Sequence, residues 1–152
     1  MRIVVIGVGN EDRGDDGAGP AVSRVLSNMR LGQVKVVSMS GEPGSLIDAW
    51  SDANVVFLID ACVSGSAPGT IQRFSAHEQP LPDHFDTIST HGFGIGSAIE
   101  LARAVGTLPE FLIVYGIEAS SFEHGAPLST SVKGSVREVA AHITEELSGF
   151  QA

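Results

Sequence analysis

The sequence predicts a three-layer α/β/α sandwich around a mostly parallel sheet of about five strands, in one domain over residues 1–152. Three observations lead there. Continuous apolar runs of strand length recur, as RIVVIGV (2–8), VVFLI (55–59) and FLIVYGI (111–117); strands covered on both faces read this way rather than alternating. Between them lie segments whose apolar residues return every three or four positions, the period of an amphipathic helix. Strand and helix also alternate along the chain, which is the order of parallel βαβ units.

The first strand, residues 2–8, is rich in β-branched residues. From Gly17 to Met29 a helix follows, marked by Ala18, Ala21, Val22, Val25, Leu26 and Met29. Val34–Met39 (VKVVSM) is the second strand, GEPG (41–44) a turn, and Ser45–Trp50 a short helix carried by Leu46, Ile47 and Trp50. Val55–Ile59 is the third strand, closed by Asp60. SGSAPGT (64–70) is a loop and TIQRF (70–74) a short edge strand. Residues 75–90 hold turn clusters, His77 and His84, and little periodicity; a loop that long is more often functional than filler. Gly94–Val105 is helical, with Ile95, Ala98, Leu101, Ala102 and Val105 on one face. Residues 111–117 form a further strand, and Ser129 or Thr130 caps a terminal helix that runs to about Leu147.

Composition narrows the function. A hydrophobic fraction of 43% in 152 residues supplies one real core. Eighteen glycines and seven prolines signal tight turns, because apolar segments recur between them. A formal charge of −9, with nine scattered basic residues, argues against a nucleic-acid partner, which needs clustered Lys and Arg. The single cysteine, Cys62, excludes an internal disulfide framework and a cysteine-rich zinc site. No apolar stretch approaches the ~20 residues of a membrane span. MRIVVIGVGN runs into a strand without a signal-peptide cleavage pattern. A soluble, cytoplasmic protein without membrane insertion is expected.

GVGNEDRGDDGAGP (7–20) sits where a phosphate cradle would, between the first strand and first helix. It is not one. A dinucleotide fingerprint has a third glycine where this chain has Asp12, and no P-loop run exists, so a nucleotide-dependent oxidoreductase is disfavoured. Asp15 and Asp16, at the helix start, would repel an anion, although the helix dipole itself accommodates negative charge. Asp15 reads as an N-cap or a site residue, and Asp16 as a solvated charge or a cation-binding or catalytic group. Glu11 and Asp12 read as surface charges.

Ligands of open α/β sheets bind at the carboxyl ends of the strands. Asp60 ends an apolar strand at that edge, as a ligand or as a cap for a turn with Ser64 or Ser66. His91, in ISTHGFGIG before a helix, is a ligand or a group bonded to backbone. Two carboxylates and an imidazole suit a divalent metal such as Zn²⁺ or Ni²⁺, with an open position for water or substrate.

MRIVVIGVGNEDRGDDGAGPAV resembles the opening of the hydrogenase maturation proteases, which trim the C-terminus of nickel–iron hydrogenase large-subunit precursors. The likeness continues at VVFLIDACVSGSAPGTI, at STHGFGIGSAIELA and at LIVYGIEASSFEHGAPLSTSV, covering nearly the whole chain. It implies a phosphorylase/hydrolase-like α/β/α fold and a metal-linked endopeptidase, aspartic-type or metal-dependent. It implies Asp16, Asp60 and His91 as metal ligands and catalytic groups, with Asp15 supporting the loop. The implied metal is divalent, the nickel of the precursor, for which zinc or cadmium substitutes in vitro; the implied partner is the hydrogenase large-subunit precursor.

One departure stands out. Relatives commonly end the second strand in an Asp-Gly-Gly turn, whereas this chain has SMSGEPG (38–44), with Met39 or Ser40 in the aspartate's place and Glu42 nearby as a substitute. That change motivates an alternative, a non-enzymatic nickel-sensing or chaperone-like binding protein on the same fold. Ser38, Ser40 and Ser45 lie outside any G-x-S-x-G elbow. Cys62, two residues after Asp60 and on the same side of a strand, is either a nucleophile paired with His91 or a small apolar filler.

Overall fold

The apolar runs become strands and the periodic segments become helices. The computed structural model describes residues 1–85 and 94–151. In chain order the elements are β1 (Ile3–Val8), α1 (Ala18–Asn28), β2 (Lys35–Met39), α2 (Pro43–Trp50), β3 (Val55–Cys62), β4 (Ile71–Ser75), α3 (Ile95–Val105), β5 (Phe111–Glu118) and α4 (Thr130–Gln151). Two 3-10 turns, Gly14–Gly17 and Asp83–Phe85, complete them.

The sheet has five strands in the order β2-β1-β3-β5-β4. β1 pairs in parallel with β2 and β3, and β3 in parallel with β5. Only β4 runs antiparallel, against β5, and it is an edge strand as its short sequence suggested. The expected three layers follow from the period of two along each strand. Ile3, Val5, Val55, Phe57, Ile59, Ile113, Tyr115 and Ile117 face α1 and α4, where Val22, Leu26, Val136, Val139 and Ile143 meet them. Val4, Ile6, Val56, Leu58, Leu112 and Val114 face α2 and α3, against Leu46, Trp50, Ile95 and Ile99. Each fully buried large side chain adds roughly 1.5–3 kcal/mol of hydrophobic stabilisation. A polar tie adds to the first layer: Arg73 of β4 and Tyr115 of β5 both donate to the Glu146 carboxylate of α4.

Several boundaries move. α2 starts two residues earlier than its apolar pattern suggested, because Glu42 is its N-cap, accepting from the N–H groups of Gly44 (2.9 Å) and Ser45 (2.8 Å), with Pro43 at its start. β3 runs past Ile59 to Cys62, so Asp60 lies within the strand rather than ending it. α4 continues to Gln151. On α3 the buried stripe is Ile95, Ala98, Ile99 and Ala102, whereas Leu101 and Val105 are 49% and 61% exposed. Those two residues border the stripe and fall on its solvent side, which corrects the expected apolar face. Among the described residues no helix is long and apolar enough to cross a membrane.

Candidate functional site

The carboxyl end of the sheet is shaped by glycines that let backbone pass over backbone. Gly9, just beyond β1, has φ +145 and lies beneath the Asp16 carbonyl, where a Cβ would collide. Gly19, in the first turn of α1, lies against the carbonyl oxygens of Val8 and Ile59. The start of α1 is therefore pressed directly onto the ends of β1 and β3. The 3-10 turn Gly14–Gly17 forms the approach to that contact and carries both aspartates.

The neighbours Asp15 and Asp16 do different things. Asp15 is 1% exposed and accepts from the N–H groups of Ser120 (2.8 Å), Ser121 (3.1 Å) and Ser129 (2.8 Å), and from the Ser129 hydroxyl (2.9 Å). Burial alone would raise its proton affinity, but those donors outweigh burial and hold the carboxyl below its ordinary value. It is not the N-cap of α1, a position filled by Gly17 without a side-chain bond. Asp15 fastens the turn to the loop after β5, and Asp15 N–H donating to Ser121 O and an Arg13–His124 bridge strengthen the join. Glu11 pairs with Arg24 at the surface.

Asp16 is half-buried and faces the strand ends. Its Oδ2 accepts from the Asn10 N–H at 3.0 Å. Burial raises its pKa, against the opposing pull of the Asn10 bond and the nearby Arg13 charge. Asp60 sits in β3 opposite Gly116 of β5, and is 8% exposed. Burial first, and then the negative charge of Asp16, push its carboxyl well above the ordinary value, opposed only in part by the Ala61 N–H. Asp60 caps no turn with Ser64; Ser64 is bound instead by Glu118. Among the described residues neither Asp16 nor Asp60 forms a salt bridge.

The structure thus brings Asp16 and Asp60 into one field. His91 belongs to residues 86–93 and lies outside the described residues. Among the described residues no group of three His, Cys, Asp or Glu side chains is arranged to hold a metal ion. Two carboxylates whose ionisation burial disfavours, Asp60 further through the charge of Asp16, would be relieved by a divalent cation. Cys62 is fully buried, and its thiol is pushed up to about 12 by burial and by the charges of Glu118 and Asp60. A thiolate is the nucleophilic form, so this residue is an apolar filler. Glu42, the substitute for a turn aspartate, is engaged in capping α2. Sequence reasoning missed Glu118, a buried carboxylate at the end of β5; its lone position after VYGI was the only signal.

Comparisons with known proteins bear on the family and the fold. Hydrogenase 2 maturation protease of Escherichia coli is 26% identical over 100% of this chain and 95% of its own. The hydrogenase expression/formation protein HupD of Thiocapsa roseopersicina is 26% identical over 98% of this chain and 69% of its own. The fold matches that of the hydrogenase maturating endopeptidase HybD of Escherichia coli, with a TM-score of 0.81 at 24% identity over 98% of this chain and 93% of that one. It also matches a [NiFe] hydrogenase maturation protease from Thermococcus kodakarensis, with a TM-score of 0.76 at 23% identity over 97% and 92%. Residues 21–146, which include Asp60 but begin after Asp16, match the family model described as hydrogenase maturation protease. With that model spanning four of the five strands, α2 and α3 in full and most of α1 and α4, the chain belongs to the hydrogenase maturation proteases, a family of endopeptidases among the hydrolases.

Proposed function

We propose that this protein removes a C-terminal peptide from the nickel-loaded large-subunit precursor of a [NiFe] hydrogenase, and that it does so in the cytoplasm. Asp16, Asp60 and His91 are the residues assigned to the metal and to the reaction. The observation that carries the reading is the Asp16–Asp60 pair, two carboxylates with raised proton affinity at the carboxyl edge of a parallel sheet. Such a pair fits a divalent cation, because a cation removes the repulsion that burial intensifies. The nickel is the precursor's own, so it arrives as part of the substrate; zinc or cadmium takes its place in vitro.

The chemistry divides simply. A divalent ion held by Asp16, Asp60 and His91 would polarise the scissile carbonyl and favour attack by water near neutral pH. The protein's own groups hold and orient. Asp16 is held by the Asn10 N–H through its Oδ2. Whichever carboxylate oxygen is not engaged by the ion would take the proton from the attacking water and return it to the leaving amine. Asp60 is 8% exposed, which limits the water that reaches it.

The test is incubation with nickel-loaded precursor followed by mass spectrometry of the intact subunit. Loss of a C-terminal peptide, dependent on nickel, is the expected result. A precursor that binds and stays whole would overturn the proteolytic reading and leave a binding protein.

A further inference from the structure

Glu118 ends β5 on the face it shares with Asp60. The register places Gly116 opposite Asp60 and Glu118 opposite Cys62, so the two carboxylates lie on adjacent strands two positions apart. Glu118 is 3% exposed, and no salt bridge reaches it among the described residues. Among the described residues its carboxylate binds one partner: it accepts from the Ser64 N–H at 2.9 and 3.1 Å and from the Ser64 hydroxyl. Its backbone holds the far end of the same loop, accepting from Gly69 N–H (2.8 Å) and donating to Thr70 O (2.9 Å).

That loop begins immediately after β3, three residues beyond Asp60. Every residue from Val63 to Pro68 is exposed, including the apolar Val63. A buried carboxylate without a counter-charge is costly, and a surface loop alone would not repay it in stability. The cost is explained if the loop must hold a fixed shape beside the site.

We infer that Glu118 is a positioning residue that clasps the Val63–Thr70 loop through Ser64, making that loop the wall along which the extended substrate peptide lies next to Asp60. This rests on the proteolytic reading proposed above. The clasp acts on substrate placement and takes no part in bond cleavage. Loosening it therefore weakens productive binding more than it slows the chemical step.

The test uses the full chain and three variants, Glu118→Gln, Glu118→Ala and Ser64→Ala, each in two measurements. Hydrogen exchange in the free protein should show faster exchange of the Ser64–Gly69 amides, by about tenfold for the alanine variants and less for Glu118→Gln, which keeps one acceptor. Cleavage of nickel-loaded precursor should show KM raised by about tenfold with kcat within about twofold, and Glu118→Gln partly restored. Unchanged loop exchange in Ser64→Ala and Glu118→Ala, or a loss confined to kcat, would overturn the assignment. Should the wild-type chain bind precursor without cutting it, the proposed function fails by itself. The loop is then judged by the precursor Kd, which the variants raise about tenfold if the wall is real and leave unchanged if it is not.

Discussion

The charge of Asp16 bears on Asp60: after burial, it is the largest influence holding the Asp60 carboxyl above its ordinary value of 3.8. A group of this kind adds stability below its unfolded pKa and loses it as pH rises through the folded pKa. Asp60 therefore costs stability at neutral pH. Asp60→Asn should raise Tm at neutral pH while cleavage is lost. The gain should vanish below the ordinary carboxyl range and grow as pH rises from there. Thermal unfolding of both proteins across that range checks the sign.

Asp16→Asn and His91→Ala should each reduce precursor cleavage by about a hundredfold or more, the scale of losing a group that acts in the reaction. Circular dichroism and Tm should remain close to wild type for Asp16→Asn, since among the described residues the Asp16 carboxylate accepts one hydrogen bond, from Asn10. Full activity in either variant would remove that residue from the site.

Asp15→Asn should behave in the opposite way. It replaces an acceptor of three backbone N–H groups and a hydroxyl, and should cost about 2 kcal/mol through buried donors left unpaired. Its Tm should fall, and its loss of cleavage should be smaller than that of Asp16→Asn. Equal losses of activity with unchanged Tm would show that the two aspartates share one role.

Gly19→Ala tests the contact between α1 and the strand ends. The added methyl would meet the Val8 and Ile59 carbonyl oxygens, which belong to paired strands and cannot swing aside. A loss of about 3 kcal/mol, or failure to accumulate as folded protein, is expected. Chemical denaturation gives the number.

Glu146 supplies a pH dependence remote from the site. Burial would raise its pKa, but the bonds from Arg73 and Tyr115, with the Arg73 and His142 charges, hold it below the ordinary value of 4.5. A depressed carboxylate contributes stability above its unfolded pKa and loses it as pH falls through the folded one. Wild type should be more stable than Glu146→Gln at neutral pH. The difference should shrink on acidification below the ordinary carboxylate range.

What the sequence made legible is what short-range pattern encodes. VVFLI and FLIVYGI announced buried strands because both faces of the sheet are covered, and Asp60 was visible as the charge expected to close such a run, although the strand continues through it to Cys62. That Asp16 and Asp60 would gather was expected from the rule that ligands collect at the carboxyl edge, and the charge of Asp16 does act on Asp60. What remained hidden depends on partners far along the chain. Asp15 binds residues 105 to 114 positions away, and Glu118 binds Ser64 across 54. No local spacing records either. The α3 face was misread because Leu101 and Val105 fit the helical period equally well, and only packing on the sheet selects between neighbouring stripes.

The long reach of Asp15 also orders events in time. During synthesis the segment bearing Asp16 emerges early, yet its final anchor at Ser129 is made only after every strand of the sheet has left the ribosome. The nascent chain thus carries the Asp15–Asp16 turn without its last anchor, and that anchor forms when the last helix begins to dock.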